Sequence, residues 1–569
     1  MTPSTKGKAA HTYDAIVVGS GISGGWAAKE LTEKGLKTLV LERGRDVKHG
    51  EYPTAMMDSW EFEGRNRRTP EQEARQLKQA RTGYTTSPTS AHWFVDDIDN
   101  PYSEDQPFDW MRGYHTGGRS LMWGRHSYRW SDLDFEANAR DGHGVDWPIR
   151  YADVAPWYDY VEQWVGINGT REGLSQLPDG QFQPAMPLNV VEAHVQKRVA
   201  AHFSDRILTN GRIANLTEAK PGRAPCQYRN RCMRGCPFGA YFSSNSSTLP
   251  AAYATGNLTL RPFSIVHELI YDADSGRATG VRIVDAETHE TFDYYAKVIF
   301  LCASAIASTS ILLKSKSDRF SDGFGNDSGE LGHNLMDHHF RVGGSGLIDG
   351  FNDRYYKGRR PGSFYIPRFR NVSAATKHSD FLRGYGFQGS GSRQNWSRGI
   401  AELERFGADF KADLIEPGPW RVGMTAFGEH LPQHANRLYL NEDLRDKWGQ
   451  PTVTFDCGYG ENEANMRQDM AVATVEILEA AGARDISTYD APNSNPGLSI
   501  HEMGTARMGR DARTSVLNAH NQVHAAPNVY VTDGACMTSS SCVNPSLTYM
   551  ALTARAVDHA VGELTKMNL

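Results

Sequence analysis

Residues 13–44 read YDAIVVGSGISGGWAAKELTEKGLKTLVLERG. The run from Ala15 to Val18 is apolar at consecutive positions, the pattern of a strand buried on both faces. Gly19, Gly21 and Gly24 follow with the spacing G-x-G-x-x-G, and helix-forming residues continue through WAAKELTEKG. A second apolar strand, KTLVLE, ends on Glu42. The glycines permit a tight turn, let backbone N–H groups approach a pyrophosphate, and let the helix pack close to the strand. Glu42 stands 18 residues beyond Gly24, where an acidic side chain can hold ribose hydroxyls. Between strand and helix, with its acid in place, the turn specifies a dinucleotide site. FAD and NAD satisfy it equally.

The chain has 569 residues, too many for one core, so two or more domains are expected. Its hydrophobic fraction of 39% and charged fraction of 22% are those of a globular protein. A net charge of -6 gives no support to nucleic-acid binding. No apolar run approaches the ~18 residues of a membrane span. The first residues, MTPSTKGKAAHTYD, lack a secretory apolar core and paired arginines, so a cytoplasmic location is expected from this chain alone.

Residues from about 45 to 110 are polar and aperiodic, and read as a surface excursion or lid. The segment GYHTGGRSLMWGRHSYR (113–129) mixes glycine with aromatic residues, the composition of backbone held close to a planar ligand or of a glycine-rich turn. VDWPIRYADVAPWYDYVEQWVGI (145–167) predicts an amphipathic helix with aromatic anchors. Short strand and helix patterns return between about 252 and 340, as the far half of a doubly wound sheet would read. Alternating stretches such as YGFQGSGSR (385–393) and RLYLNEDLRDKWGQPTVTFD (437–456) predict an antiparallel sheet in a second domain.

Several segments together resemble the glucose-methanol-choline (GMC) family of flavin oxidoreductases. They are VVGSGISGG with LERG, GGRSLMWG (117–124), FLCASAIASTSILL (300–313) and ELGHNLMDHH (330–339), then LNEDLRDKWGQPTV (440–453), HEMGTARMG (501–509) and VTDGACMTSSSCVNPSLT (531–548). The resemblance implies FAD rather than NAD. It also implies an α/β fold, in which a Rossmann-like FAD-binding domain is interleaved with an α+β substrate domain built on an antiparallel sheet. Residues 12–340 would form the FAD-binding part, with the excursion at about 45–110 and a cysteine segment at 226–237. Residues 341–490 would be mainly substrate domain, and 491–569 would return to the FAD domain carrying the catalytic pair.

Carried over residue by residue, the resemblance puts Gly19, Gly21, Gly24, Glu42 and Arg43 at the ADP half, with Val266 against the adenine and Ala303 and Ser304 nearby. Gly118 and Ser120 would line the isoalloxazine, and Asp533, Gly534, Asn544 and Pro545 would approach the ribityl chain and ring. Met122 occupies the position where some relatives use a histidine to bond flavin covalently, so FAD is expected to be bound without a covalent bond.

Oxidising an alcohol removes a hydride from carbon and a proton from oxygen, and a histidine near its own pKa suits the second task. Composition cannot choose among 20 histidines. The resemblance assigns His501 as the base and Asn544 as its uncharged partner, and it gives the His338–His339 pair a structural role.

The stretch CQYRNRCMRGCP (226–237) holds three of the seven cysteines. The spacing of Cys226, Cys232 and Cys236 is not the paired arrangement usual for zinc, and the proline after the last cysteine is that of ferredoxin runs. The pattern resembles iron–sulfur subunits of bacterial GMC sugar dehydrogenases, which implies a 3Fe–4S cluster on these three residues. Free thiols, or zinc completed by a distant histidine, are the other readings. Arg229, Arg231 and Arg234 would offset cluster charge or dock an acidic electron acceptor.

The chain is similar in look to the catalytic subunits of glucoside 3-dehydrogenases. That similarity implies oxidation of a sugar hydroxyl, at C3, with electrons passed to an external acceptor. Gluconate C2, glucose C1, a sugar oxidase and a non-catalytic flavoprotein are the alternatives. It also implies a small helper subunit, a cytochrome-type acceptor and, with a signal-bearing partner, a periplasmic location.

Overall fold

The computed structural model describes residues 11–62, 67–83, 85–354, 361–393, 406–415 and 417–569. Strand β1 (Thr12–Val18) runs at the centre of the first sheet, and Ala15, Ile16 and Val17 are fully buried because both faces of the strand are covered. The glycine turn leads into helix α1 (Ile22–Glu33), and the chain returns as β2 (Thr38–Leu41), parallel to β1. Thr291–Leu301 runs parallel along the other side of β1. Leu258–Arg261 extends the sheet beyond β2, and Ala526–Val531 extends it beyond Thr291–Leu301. An antiparallel pair, Ser264–Asp272 and Arg277–Asp285, attaches to the first half of Thr291–Leu301. Three distant parts of the chain therefore build one Rossmann-like sheet. The expected α/β class is observed.

The turn works through close packing. A methyl group on Gly24 would lie 1.9 Å from the Gly19 carbonyl oxygen, and one on Gly19 would lie 2.6 Å from the Cys302 carbonyl oxygen. Only hydrogen at these positions lets α1 sit against β1. The predicted helix near 145–167 forms as Tyr151–Val165, with Val154, Tyr158 and Val161 buried in the main core.

The second sheet is antiparallel throughout, in the order Arg484–Asp490, His339–Ile348, Trp420–Gly428, Tyr385–Arg393, Phe364–Ile366 and Thr209–Asn210. Burial alternates without interruption along Trp420–Gly428, as a strand with one packed face requires. Helices Val190–His202 and Glu461–Ala480 cover that face over a core including Val342, Phe387, Val422, Met466 and Ile477.

One expectation changes here. The 437–456 stretch does form a hairpin, Arg437–Arg445 with Pro451–Asp456, but it lies outside the six-stranded sheet. It pairs instead with Ser103–Glu104 of the excursion. Phe455 stacks on Phe108 at 4.2 Å and meets Tyr102 edge-on, so the aromatic contacts of the excursion decide where the hairpin docks. The excursion itself carries two short helices, Pro70–Arg75 and Leu77–Ala80, the first capped by the Thr69 hydroxyl accepting from the Gln72 N–H at 3.2 Å.

The packing contrast between two glycines is testable by thermal unfolding. Gly24→Ala forces the turn apart and is expected to cost about 1–3 kcal/mol. Gly21→Ala, whose methyl meets nothing within 4 Å, should leave the Tm of the unliganded protein unchanged.

Candidate active site

A cavity of about 590 Å3 is lined by residues of both sheets. Gly19, Gly21, Glu42 and Arg43 form one part of its wall; Gly118, Ser120 and Met122 form another. Val266, Ala303 and Ser304 contribute from the first sheet's far half, and Asp533, Gly534 and Asn544 from the C-terminal segment. Gly24 is behind this wall, in the strand–helix contact. Pro545 caps the final helix, Ser546–Thr565.

The wall suits a nucleotide. Helix α1 starts at Gly21 without a side-chain cap, so its first N–H groups are free to meet an anion. Glu42 is buried and accepts from the Ser20 hydroxyl at 2.5 Å, the Ser20 N–H at 3.2 Å and the Gly44 N–H at 2.9 Å. Burial raises its pKa against those three donors. Asp533 is likewise buried, bonded to Ser308 and the Ala535 N–H, and pushed up to about 6 by desolvation. Arg43 is on the wall but is held elsewhere: its guanidinium bonds Asp446 at 3.0 Å and lies over the rings of Tyr114 and Trp448. Lys314 adds a cation that the sequence reading missed, its pKa lowered to about 8 by burial and then by Arg43. An uncapped helix start, space at Gly21 and a carboxylate at Glu42 together fit FAD.

The reacting end gathers side chains from three segments. His501 Nε2 is 3.2 Å from Asn544 Nδ2, and Asn544 Oδ1 accepts from Gln388 Nε2 at 2.8 Å. His501 Nδ1 is 2.9 Å from Nδ1 of His338. The main chain of His501 is held by Asp337, whose Oδ1 accepts the His501 N–H at 3.0 Å and whose Oδ2 accepts the N–H groups of Gly497 and Ser499 at 2.7 and 3.1 Å. The Ser499 hydroxyl also donates to Asp337. Of the pair expected to be structural, His338 contacts His501 directly, and His339 faces Tyr459.

The opposite wall comes from the second sheet. Phe340 and Phe427 stack at 5.1 Å with an interplanar angle of 7° and line the cavity. Phe340 and the core residue Val342 are two apart, a separation that would put them on one face of a regular strand. A register shift opposite Ala426–Gly428, with Arg341 at φ 63°, breaks that alternation and re-aims Phe340.

Family models described as GMC oxidoreductase match residues 13–340 and 432–553. The chain belongs to the GMC oxidoreductase family. A 2-methyl-1,2-propanediol dehydrogenase of Mycolicibacterium austroafricanum is 27% identical over 96% of this chain and 94% of its own. A fructose dehydrogenase large subunit of Gluconobacter japonicus is 26% identical over 97% and 98%. A formate oxidase of Aspergillus oryzae, studied for FAD modification, shares the fold with a TM-score of 0.62 over 98% of this chain and 99% of its own, at 13% identity. This GMC oxidoreductase is an enzyme that uses FAD, and its relatives include alcohol and sugar dehydrogenases.

In this GMC oxidoreductase the cysteine loop lies beside the FAD cavity, because Met233, between Cys232 and Arg234, lines the cavity wall. Cys226, Cys232 and Cys236 are half-buried and in no disulfide. The Tyr228 N–H donates to Cys226 Sγ at 3.4 Å, and burial pushes the Cys226 thiol up to about 11. Among the described residues no three His, Cys, Asp or Glu side chains converge on a point that would hold a metal ion. Of the three loop arginines only Arg231 meets a carboxylate among the described residues, that of Asp58; Arg229, Arg231 and Arg234 donate to the carbonyls of Ala55, Met56 and Met57. These arginines staple the loop to the excursion.

Gln388, Phe340, Phe427, His126 and the Arg119–Glu502 pair were not found from sequence. Arg119 Nη1 donates to both Glu502 oxygens at 2.8 and 2.9 Å on the cavity wall. The one signal available for Gln388 was a polar residue among small and apolar ones in YGFQGSGSR.

Burial, followed by the charges of His338, Arg119 and His126, holds His501 well below its ordinary value of 6.5. Its neutral form therefore persists through neutral pH, and kcat/KM is expected to stay level from pH 8 to below 6.5, with the acid limb under that value. The same depressed pKa means the unfolded chain takes up the proton first, so the contribution of His501 to stability declines as pH falls through about 6.5. A pH–rate profile whose acid limb lies above 7 would contradict this.

Proposed function

We propose that this GMC oxidoreductase is a dehydrogenase that oxidises a secondary hydroxyl, C3 of a glucoside, to a keto sugar. The observation that carries the reading is the His501–Asn544 pair on the wall of the cavity that fits FAD. When bound, FAD supplies the hydride acceptor for the carbinol carbon. His501 Nε2 accepts the hydroxyl proton, and Asn544 Nδ2 donates to the hydroxyl oxygen without competing for that proton. Gln388 fixes the Asn544 amide by donating to its oxygen. The stacked Phe340 and Phe427 offer an apolar face to the C–H side of a sugar ring and keep water from it.

The finer part of the proposal is that electrons leave singly through a 3Fe–4S cluster on Cys226, Cys232 and Cys236 to an external acceptor. It is supported by the cysteine spacing, by the N–H donated to Cys226 and by the contact of Met233 with the cavity. As placed, the three thiols do not converge, and no step of the oxidation is assigned to a cluster. Exposed Met56, Trp60, Tyr228 and Phe238 lie on the segments joined by the loop arginines and would suit a cytochrome-type partner. A helper subunit and export with it to the periplasm complete the reading. Among the described residues no helix is long and apolar enough to cross a membrane.

Another sugar or alcohol dehydrogenase, acting on gluconate C2 or glucose C1 for example, is the second reading, favoured by the relatives named for fructose and a propanediol. A panel of glucosides, glucose, gluconate and simple diols with an artificial one-electron acceptor, followed by NMR of the product, separates the two. Sugar-dependent flavin bleaching is expected in the native enzyme and should fall by at least about 100-fold in His501→Ala with FAD retained. Unchanged bleaching would overturn the catalytic assignment. Anaerobically purified protein is expected to hold about three iron atoms per chain, lost in Cys232→Ser; iron-free protein with full activity toward a protein acceptor would remove the cluster from the reading.

A further inference from the structure

The hydrogen bonds around His338 determine more than its place in the core. Its Nε2 lies 3.1 Å from the carbonyl oxygen of Ser540. A carbonyl can only accept, so that nitrogen carries a proton. The ring is fully buried, and desolvation together with the neighbouring His430 lowers its pKa to about 4, so it is neutral and its Nδ1 bears a lone pair. That lone pair is 2.9 Å from His501 Nδ1, and two facing nitrogens bond only if one of them donates. The proton must therefore sit on His501 Nδ1. His501 Nε2 is then unprotonated, which is the state that can accept a hydrogen bond from Asn544 Nδ2 at 3.2 Å. Asn544 is free to present its nitrogen there because its oxygen is taken by Gln388. From the Ser540 carbonyl to the Gln388 amide, every donor meets an acceptor.

We propose that His338 is a positioning residue that sets the tautomer of His501, keeping the proton on Nδ1 and the lone pair on Nε2 before any substrate arrives. The inference rests on His501 being the base. The two rings cross at 73° with centroids 4.8 Å apart, so the contact is an in-line hydrogen bond rather than a stack. Neutral imidazole carries its proton on either nitrogen with little preference in water, and a base with the wrong tautomer has no lone pair for the hydroxyl proton. Within the site, a carbonyl that cannot titrate makes the choice. Asp337, next in sequence, holds the main chain of His501. The dipeptide thus positions both the backbone and the ring of the base.

Two variants and one spectroscopic measurement test this. His338→Ala should lower the rate of flavin reduction per bound FAD by about 100-fold or more, with little change in substrate KM. His338→Gln, which offers an oxygen to His501 and an N–H to Ser540, should recover most of the loss. Nitrogen NMR of isotope-labelled histidine in the holoenzyme needs no substrate: an unprotonated Nε2 on His501 is expected in the native protein, and a mixture of tautomers in His338→Ala. A purely packing role predicts a lower Tm in His338→Ala with native flavin reduction per bound FAD and a single His501 tautomer, and that result would overturn the proposal. So would a native His501 protonated on Nε2. If His501→Ala keeps reducing flavin, the functional reading falls instead, whatever the tautomer.

Discussion

Asp337 holds the reacting end of this GMC oxidoreductase together. It stands just before the strand His339–Ile348 of the second sheet, and its carboxylate accepts three N–H groups and a hydroxyl from residues 497–501, far along the chain. Burial still outweighs these donors and pushes the carboxyl up to about 7. The segment it grips is strained. Ile500, a β-branched residue, sits at φ 65°, a conformation that persists only when its surroundings over-determine it. The base is thus delivered on a loop whose geometry the second sheet imposes.

That arrangement divides the work between the sheets. The parallel sheet supplies the glycine turn, Glu42 and Asp533, groups that are rigid because β1 and β2 are buried on both faces. The antiparallel sheet supplies the face toward the substrate, Phe340, Phe427 and Gln388, on strands whose other side is packed under two helices. The register shift at Arg341 is what lets one strand serve both the core, through Val342, and the cavity, through Phe340.

The cysteine loop shows how position can matter more than charge. Its arginines hold carbonyls of residues 55–57, and Arg231 also pairs with Asp58, so the loop is joined to the excursion while keeping most of its positive charge. Apolar side chains are also turned outward there, with Trp60 77% exposed on the same joint. Inward, Met233 touches the cavity. A single short loop therefore spans the distance between the flavin site and the surface.

Local pattern determined the first sheet's nucleus. A strand, a G-x-G-x-x-G turn and a helix are all specified within the 13–44 stretch, because close packing at Gly24 and burial of Ala15–Val18 are properties of neighbouring residues. The antiparallel character of the second sheet was legible for the same reason, through the alternation in 385–393. The location of the 437–456 hairpin was not, since it depends on Phe455 meeting Phe108 across the fold. His501 and Asn544 could be named from resemblance. Their company could not: His338 comes from the second sheet's leading edge, Gln388 from a strand whose outward face depends on register, and Phe340 from a bulge. Sequence specifies what lies within a few residues along the chain, where steric and hydrophobic periodicity act. Only the folded structure decides which lone pair faces which proton across segments more than a hundred residues apart, because hydrogen bonds between side chains respond to distances of a few tenths of an ångström that no local pattern encodes.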